Sequence, residues 1–502
     1  MDYNFKEIEK KWQVFWDENS NLKTDYNNVD SKKYCLTMFS YPSGDKLHIG
    51  HWYNYGPADT FTRYLKLRGY NVFQPQGFDA FGLPAENYAI KHGIHPHEST
   101  HQNISTMKQQ LTAIGALYNW DKEVVTCDKE YYKWTQWLFL KLYKNNLAFQ
   151  KTATVNWDPI DQTVLANEQV LSDGTSERSG GKVIQKPLKQ WFFKITKYAE
   201  ELLDFENLKW PKKTILMQKN WIGRSEGAKI DFIIENSDYR LNIFTTRPDT
   251  LFGVTYMVIA PEHEIIQKFN LSNNADIALY CEEASKKSEL QRSDLEKTKS
   301  GVFSGLYVIH PITDKKIPIW IADYVMMGYG TGAIMAVPGH DQRDFDFAKK
   351  YDIDIVKVVD DGNNVDIENN AFSEYGICVN SDFINGLNTE DAIKKMLVYL
   401  EKQSLGEKSI TYRLKDWLIS RQRYWGAPIP IVYDPDGNPH PIPEKYLPWL
   451  LPDDVEYKPK GTSPLGSSKE LLERTEKIFG KGWKPEIDTM DTFVCSSWYY
   501  LR

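Results

Sequence analysis

Residues 41–56 read YPSGDKLHIGHWYNYG: a Pro-Ser-Gly turn and then two histidines, His48 and His51, on either side of an Ile-Gly pair. The preceding run, Tyr34–Phe39, is apolar and β-prone, which predicts a buried strand handing the chain through Pro42, Ser43 and Gly44 to a helix. Backbone N–H groups at a helix start, joined by two imidazoles, suit a phosphate and can stabilise charge that grows at phosphorus during transfer. Gly50 would let a flat base approach the backbone. Taken by itself the pair reads equally well as surface or packing histidines, because a four-residue match is weak evidence.

Working outward, Gly56-Pro57 predicts a kink or a restart of the helix, with Phe61, Tyr64, Leu65 and the stem of Arg68 supplying one face. A second strand, Asn71–Gln74, leads into GFDAFGLP at 77–84, and helical patterns fill much of Ser99–Leu147. This alternation predicts a parallel α/β unit. A Gly- and Ser-rich loop at 172–181 marks a weak boundary, and from about Lys229 short β-like runs predict a separate α+β or barrel-like unit. The charged stretch Glu282–Lys299 and the tract Asp360–Asn370 read as solvated excursions from that unit. After Arg413 the chain turns rich in Trp, Arg and Pro again, as if the first unit resumed.

The totals agree with a globular protein: 502 residues, 41% hydrophobic and 26% charged. At roughly 100–200 residues per domain, about three domains are expected. No run approaches the ~18 apolar residues of a membrane span, so no membrane association is expected. Five single cysteines without a C-x-x-C pair predict neither a disulfide framework nor a zinc knuckle, and a reducing cytoplasm is the default. The net charge of −7 argues against non-specific adhesion to nucleic acid but leaves room for a local basic surface.

HIGH after a strand and a Gly turn resembles the first signature of class I aminoacyl-tRNA synthetases. Its flank YPSGDKLHIGH and the block GFDAFGLPAEN (Gly77–Asn87) are similar to the leucyl branch of that family. So are VNW at 155–157, NWIGRS at 220–225, TTRPDT at 245–250, RQRYWGAPIP at 421–430 and DTFVCSSWYY at 491–500. The resemblance implies an incomplete class I Rossmann-like nucleotide-binding domain (1–150 and 409–502) and a knuckle at 151–190 without zinc ligands. It further implies a connector at 191–222 and an inserted α+β, barrel-like editing domain at 223–408. The implied activity is activation of leucine with ATP and Mg²⁺, followed by charging of tRNA(Leu). His48 and His51 would stabilise the phosphoryl transition state, with Pro42, Ser43, Gly44 and Gly50 lying along ATP. Asp79 would take the leucine ammonium, a favourable meeting of carboxylate and cation. Met38, Phe39, Tyr41, Phe493, Ser496 and Tyr499 would line the leucine pocket, although the aromatics read also as plain core.

A hydrophobic pocket gains only about 1–3 kcal/mol per methylene, so leucine cannot be separated from norvaline or isoleucine by binding alone. The resemblance supplies a second sieve in the insertion. There Thr245, Thr246, Arg247, Asp249 and Thr250 would orient a water and the ester, Thr250 would exclude leucine, and Asp344 would grip the ammonium of the wrong amino acid. Met335, Val337, His340 and Asp341 would complete that chamber, and the glycine tract at 328–332 would pack near it. Arg421 and Arg423 beside Tyr424 and Trp425 suit a single-stranded RNA end, or equally an arginine pair bridging domains. Trp221 and Arg224 flank Gly223 at a candidate hinge that would also meet tRNA.

The sequence departs from the family at Tyr53, often arginine in relatives, at Asp434–Asn438, where relatives can carry a cysteine pair, at the knuckle and at its end. Asp158 stands where relatives carry a zinc-ligating cysteine and the next loop has none, so no structural zinc is predicted. No K-M-S-K-S segment precedes Arg502, so the chain is expected to be an amino-terminal portion or one subunit of a split enzyme that activates leucine poorly alone. The complete enzyme is expected as a monomer, or with the remaining carboxy-terminal part as a second subunit. The alternative is a fragment acting mainly as an editing hydrolase or tRNA 3′-end binding module.

Overall fold

The apolar run that follows residue 31 forms less strand than its composition predicts. In the computed structural model, which describes residues 3–502 apart from 20–22, 45, 166–169, 172, 178, 286, 288–291, 293–299, 328–329, 364 and 458–461, the ladder is confined to Lys32–Tyr34, paired in parallel with Asn71–Phe73. Its side chains are exposed, and between 35 and 40 only Thr37, Phe39 and Ser40 are buried. The expected buried strand is thus corrected to a short exposed one, because among the described residues only one neighbour pairs with it. The parallel arrangement continues as Ser40 bridges Phe78 and Gly77–Phe78 pairs with Val124–Val125.

Ile49–Leu67 is a single helix through Pro57, so of the expected kink or restart the restart does not occur. Pro57 removes the hydrogen bond to the Tyr53 carbonyl. Tyr53 is 83% exposed, on the solvent side where water can take that carbonyl, which lowers the cost of keeping the helix whole. The helices Leu83–His92, Pro96–Ala113 and Lys129–Lys144 complete this unit around Phe78, Phe81, Met107, Phe139 and Leu140.

The chain after Arg413 returns to the same core. Trp417–Leu418 pairs with Phe192–Phe193, and Ser420–Arg421 pairs with Thr489–Met490. Trp425 is buried and donates its indole N–H to the Ala80 carbonyl at 2.8 Å, and Tyr131 donates to the Cys495 carbonyl at 2.7 Å. An antiparallel hairpin, Ala148–Asp158 against Ile184–Phe193, projects from this core. At its tip the Asp158 carboxylate accepts the N–H groups of Ile160 and Asp161 and the Ser179 hydroxyl. Residues 148–193 contain no cysteine or histidine, so this tip does not fit a zinc ion.

The second unit is a seven-stranded sheet centred on Arg224–Ile234, whose buried Ile230, Phe232 and Ile234 alternate with outward residues. Arg240–Thr245, Gly406–Tyr412 and Gly301–Ile309 pair with it, and Lys316–Ala322, Tyr256–Ile259 and Ala333–Ala336 continue the sheet. The helices Gln342–Tyr351 and Thr389–Lys402 pack on it. Of the two expected forms, α+β or barrel-like, the unit takes the open α+β form: among the described residues Ala333–Ala336 and Gly406–Tyr412 end the sheet without pairing to each other. Part of the predicted excursion Glu282–Lys299 lies outside the described residues, as do Gly328 and Tyr329. Among the described residues no helix is long and apolar enough to cross a membrane.

Candidate functional site

His48 ends extended backbone (φ −127°, ψ 171°) and caps the helix that begins at Ile49. Its Nδ1 accepts the Gly50 N–H at 3.1 Å, while His51 Nδ1 accepts the His48 N–H at 3.2 Å. Two orphan helix donors are thereby satisfied by a reciprocal histidine box. Because each Nδ1 is an acceptor, each neutral ring carries its proton on Nε2. The rings lie 4.0 Å apart, centre to centre, and His48 is exposed. Burial, and then the neighbouring His48, hold the His51 pKa below the ordinary imidazole value. The pair therefore presents N–H donors at the positive end of a helix without requiring two cations. Gly50 has a reason other than the expected one: a Cβ there would come within 2.9 Å of His48 Cε1 and push the capping ring away. The turn before it is pinned by Asn103, which donates to the Pro42 carbonyl at 3.2 Å. Ser43 is exposed, and nothing lies within 4 Å of where a Cβ on Gly44 would stand.

Asp79 is buried at the end of the Gly77–Phe78 strand, its N–H given to the Ser40 carbonyl. Burial pushes its pKa up to about 6, against the hydroxyls of Ser496, Thr492 and Thr126 that favour the anion. Thr492 Oγ1 lies 3.2 Å and Thr126 Oγ1 3.4 Å from Asp79 Oδ1. Around it Phe39 stacks on Tyr499 at 4.0 Å, and Tyr41 donates its hydroxyl to the Phe81 carbonyl. Met38 and Phe493 instead present exposed side chains, at 71% and 63%. Thr126 and Thr492 were not among the predicted residues. Thr492 lies inside the DTFVCSSWYY block, where a hydroxyl directly after Asp491 was the available signal.

In the second unit the strand ending at Thr245 passes into a 3₁₀ turn, Pro248–Gly253. Thr245 Oγ1 accepts the Arg247 N–H at 3.0 Å, and Thr250, almost fully buried, donates to the Arg247 carbonyl at 2.9 Å. Arg247 grips the buried Asp249 with two nitrogens, the shortest contact 2.8 Å, and lies over the Tyr375 ring at 5.0 Å. Asp249 thus stiffens the turn, and Thr246 remains exposed.

Asp344, in the first turn of the Gln342–Tyr351 helix, lies near Val337 and is 4% exposed. Its Oδ2 accepts the Val337 N–H at 2.8 Å, whereas its buried Oδ1 has no hydrogen-bond partner among the described residues. Burial, with the Asp341 charge adding, pushes the Asp344 pKa up to about 8. Val337 follows the Ala333–Ala336 strand, which carries the buried Met335. Asp341 caps the helix by accepting the N–H groups of Arg343 and Asp344. The expectation for His340 is corrected. Its Nδ1 meets the Phe372 carbonyl at 2.8 Å and its Nε2 accepts the N–H groups of Val358 and Val359, so no nitrogen is left for a substrate.

The tRNA-contact expectation divides. Trp221 is exposed at 63%, next to Gly223, whose left-handed backbone (φ 59°) ends the Lys212–Ile222 helix. Arg224 pairs with Glu200 at 2.8 Å and Glu226 at 3.2 Å where the two connecting strands meet, Arg224 opposite Tyr412. Of the two readings of Arg421 and Arg423, the geometry fits the bridging pair and not the RNA contact. Arg421 pairs with Asp491 and donates to the Leu418 and Ser420 carbonyls. Arg423 is buried and shared among Glu86 at 2.9 Å, Asn87 at 2.7 Å and the Asp161 carbonyl at 3.1 Å. Tyr424 and Trp425 are buried too, so neither ring is available for stacking on a base.

Known proteins with these features are similar along the whole chain. Residues 219–401 match the family described as leucyl-tRNA synthetase, editing domain, and residues 34–243 match that described as tRNA synthetases class I (M). A leucine–tRNA ligase of Clostridium perfringens is 54% identical over 99% of this chain, and one of Clostridium tetani is 54% identical over the same share. The chain spans 61% and 60% of the lengths of these two relatives. A LeuRS of Agrobacterium radiobacter K84, solved in a ternary complex with tRNA and LeuAMS, superposes with a TM-score of 0.84 at 40% identity. That match covers 100% of this chain and 60% of that one.

Proposed function

The chain belongs to the leucyl-tRNA synthetase family, and from that premise we propose that it carries the leucine- and ATP-binding part of a leucine–tRNA ligase site together with a hydrolytic proofreading site. The observation that carries the reading is the pair of His48 and His51 Nε2–H donors one turn beyond the Pro42–Gly44 bend, in the unit whose strand end holds the buried carboxylate of Asp79.

In this reading the leucine ammonium meets Asp79, and Phe39, Tyr41 and Tyr499 enclose the aliphatic chain. The leucine carboxylate oxygen attacks the α-phosphorus of ATP, which enters with Mg²⁺; a carboxylate–phosphorus bond forms and the bond to pyrophosphate breaks. Negative charge grows on the phosphoryl oxygens, where neutral N–H donors held by their own Nδ1 bonds stabilise it without reorganising. A hydroxyl of the ribose at the 3′ end of tRNA(Leu) then attacks the leucyl carbonyl of the adenylate; an ester bond forms, the carboxyl–phosphate bond breaks and AMP leaves.

A mischarged end would move to the second unit. There the ammonium of the wrong amino acid meets the unpaired oxygen of Asp344, water attacks the ester carbonyl, and the alcohol of the tRNA ribose leaves. Thr245, Thr246 and Thr250 supply hydroxyls for the water and the ester, and Thr250 limits the room for leucine. The test is leucine-dependent pyrophosphate exchange by the chain joined to the remaining length found in its relatives. Alanine at both His48 and His51 is expected to lower the rate by about 10²–10³-fold or more. An unchanged rate would remove the reading.

A further inference from the structure

Outside both sites, His101, Cys127 and Asp128 converge between the Pro96–Ala113 helix and the start of the Lys129–Lys144 helix. One ligand atom from each lies within 4.8 Å of the other two. His101 Nε2 is 3.3 Å from Asp128 Oδ1.

Two further observations point to a ligand. Asp128 is the N-cap residue of a 16-residue helix, a position where an aspartate ordinarily accepts a helix N–H, yet its side chain makes no capping bond and sits against His101. Among the described residues His101 Nε2, shielded from solvent, has no hydrogen-bond partner, since its approach to Asp128 lacks the alignment of a hydrogen bond. A sheltered ring nitrogen in that state costs free energy that a Lewis acid would recover. His97, one turn earlier on the same helix face, packs against the His101 ring with centres 4.4 Å apart and holds it toward the cluster.

We propose that His101 Nε2, Cys127 Sγ and the Asp128 carboxylate form a three-ligand site for a borderline transition-metal ion, zinc foremost, with a water from the solvent side as the fourth ligand. The donor set decides the class of ion. One imidazole, one thiol sulfur and one carboxylate suit Zn²⁺ or Co²⁺, whereas Mg²⁺ and Ca²⁺ take oxygen alone. The present separations need only a modest contraction to reach zinc distances of about 2.0–2.3 Å. On binding, the Cys127 S–H bond breaks, a sulfur–metal bond forms, and the proton leaves to solvent. The side chains of His101 and Asp128 are 35% and 46% exposed, which leaves an entry path.

The site is separate from the 151–190 hairpin, whose tip has no soft ligand. Its place has a consequence, because Thr126, next in chain to Cys127, accepts the Ala80 N–H at 2.7 Å and reaches Asp79. An ion held here would brace the strand end that supports the Asp79 carboxylate.

The experiment is a titration of the metal-stripped chain with Co²⁺, read optically. One equivalent is expected to produce a thiolate-to-cobalt charge-transfer band with tetrahedral visible bands, and Zn²⁺ is expected to displace it. His101→Gln and Asp128→Asn, both partly exposed and tolerable to the fold, are each expected to weaken binding by at least about tenfold. Cys127→Ser is expected to abolish the charge-transfer band in the folded protein, with circular dichroism as the check. No band with metal in large excess, or a band that His101→Gln and Asp128→Asn leave unchanged, overturns the site. Neither result touches the ligase reading, since the measurement involves no leucine, ATP or tRNA.

Discussion

Asp79 and Asp344 are both buried carboxyls assigned to an amino acid's ammonium, yet they are held differently. Asp79 has hydroxyls from Thr126, Thr492 and Ser496 favouring its anion, and burial raises it only to about 6. Asp344 has one backbone N–H on Oδ2 and, among the described residues, no partner on Oδ1, and burial with the Asp341 charge raises it to about 8. At neutral pH the first is mostly an anion before its ligand arrives, and the second mostly an acid. The difference suits two tasks. A synthetic pocket gains from standing ready for every leucine, whereas a proofreading chamber that becomes charged only with its cation attracts less of everything else.

The largest expected effect is removal of either carboxyl. Asp79→Ala should reduce leucine kcat/KM in pyrophosphate exchange by about 10²–10³-fold, the cost of leaving an ammonium unpaired in a dry pocket. Asp344→Ala should reduce hydrolysis of mischarged tRNA by a similar factor without altering exchange. If Asp344→Ala slows exchange as well, the two sites are not separable and the comparison fails.

Next in size is the separation in pH. Because kcat/KM reports the free enzyme, the acidic limb of leucine activation is expected near 6 and that of tRNA hydrolysis near 8. Both rates should rise with pH through these values, since the ionised form binds the ammonium. Coincident limbs would show that the extra hydroxyls around Asp79 do not tune it.

The same shift sets a stability difference. Asp344 in the folded chain keeps its proton up to about 8, whereas the unfolded chain loses it near the model-peptide value of about 4. Between those values the folded state binds more protons, so stability falls as pH rises through the window. Asp344→Asn removes the ionisation and should raise Tm relative to the unsubstituted chain by an amount that grows from pH 5 to pH 8, reaching a few degrees. Thermal unfolding at the two pH values checks it, and a gap that shrinks toward pH 8 would reverse the assignment.

These contrasts show where sequence reading stops. The helix start at His48 and His51 was legible because a strand, a Gly turn and their spacing lie close together in the chain, whereas Asp79 came into view only through the resemblance of the Gly77–Asn87 block. For Arg423 two readings stayed open because its partners are remote in the chain: Glu86 is 337 residues away, and a guanidinium in RQRYWG looks available until that carboxylate is placed beside it. His340 failed for the same reason, its nitrogens taken by backbone groups of Val358, Val359 and Phe372. Pro57 forecast a kink or a restart, but the cost of running the helix through it depends on whether the orphaned carbonyl reaches water, and Tyr53's exposure is a property of the fold. The short strand at Lys32–Tyr34 and the open second sheet likewise reflect pairing between distant segments rather than local preference.

The hydroxyls around Asp79 were the quietest of these signals, and they give the finest test. Thr492→Val keeps the volume and removes one donor, from a side chain that also bonds the Phe81 carbonyl at 3.0 Å. Losing one hydrogen bond to the anion costs roughly 1 kcal/mol, which is less than one unit in pKa. The limb of leucine activation should therefore move upward from near 6 by about half a unit to one unit, with the plateau above pH 8 nearly unchanged. The limb of tRNA hydrolysis should stay where it is, because Asp344 has no threonine donor among its bonds. A fall in the plateau without movement of the limb would make Thr492 a packing residue, and the contrast between the two carboxyls would then rest on burial alone.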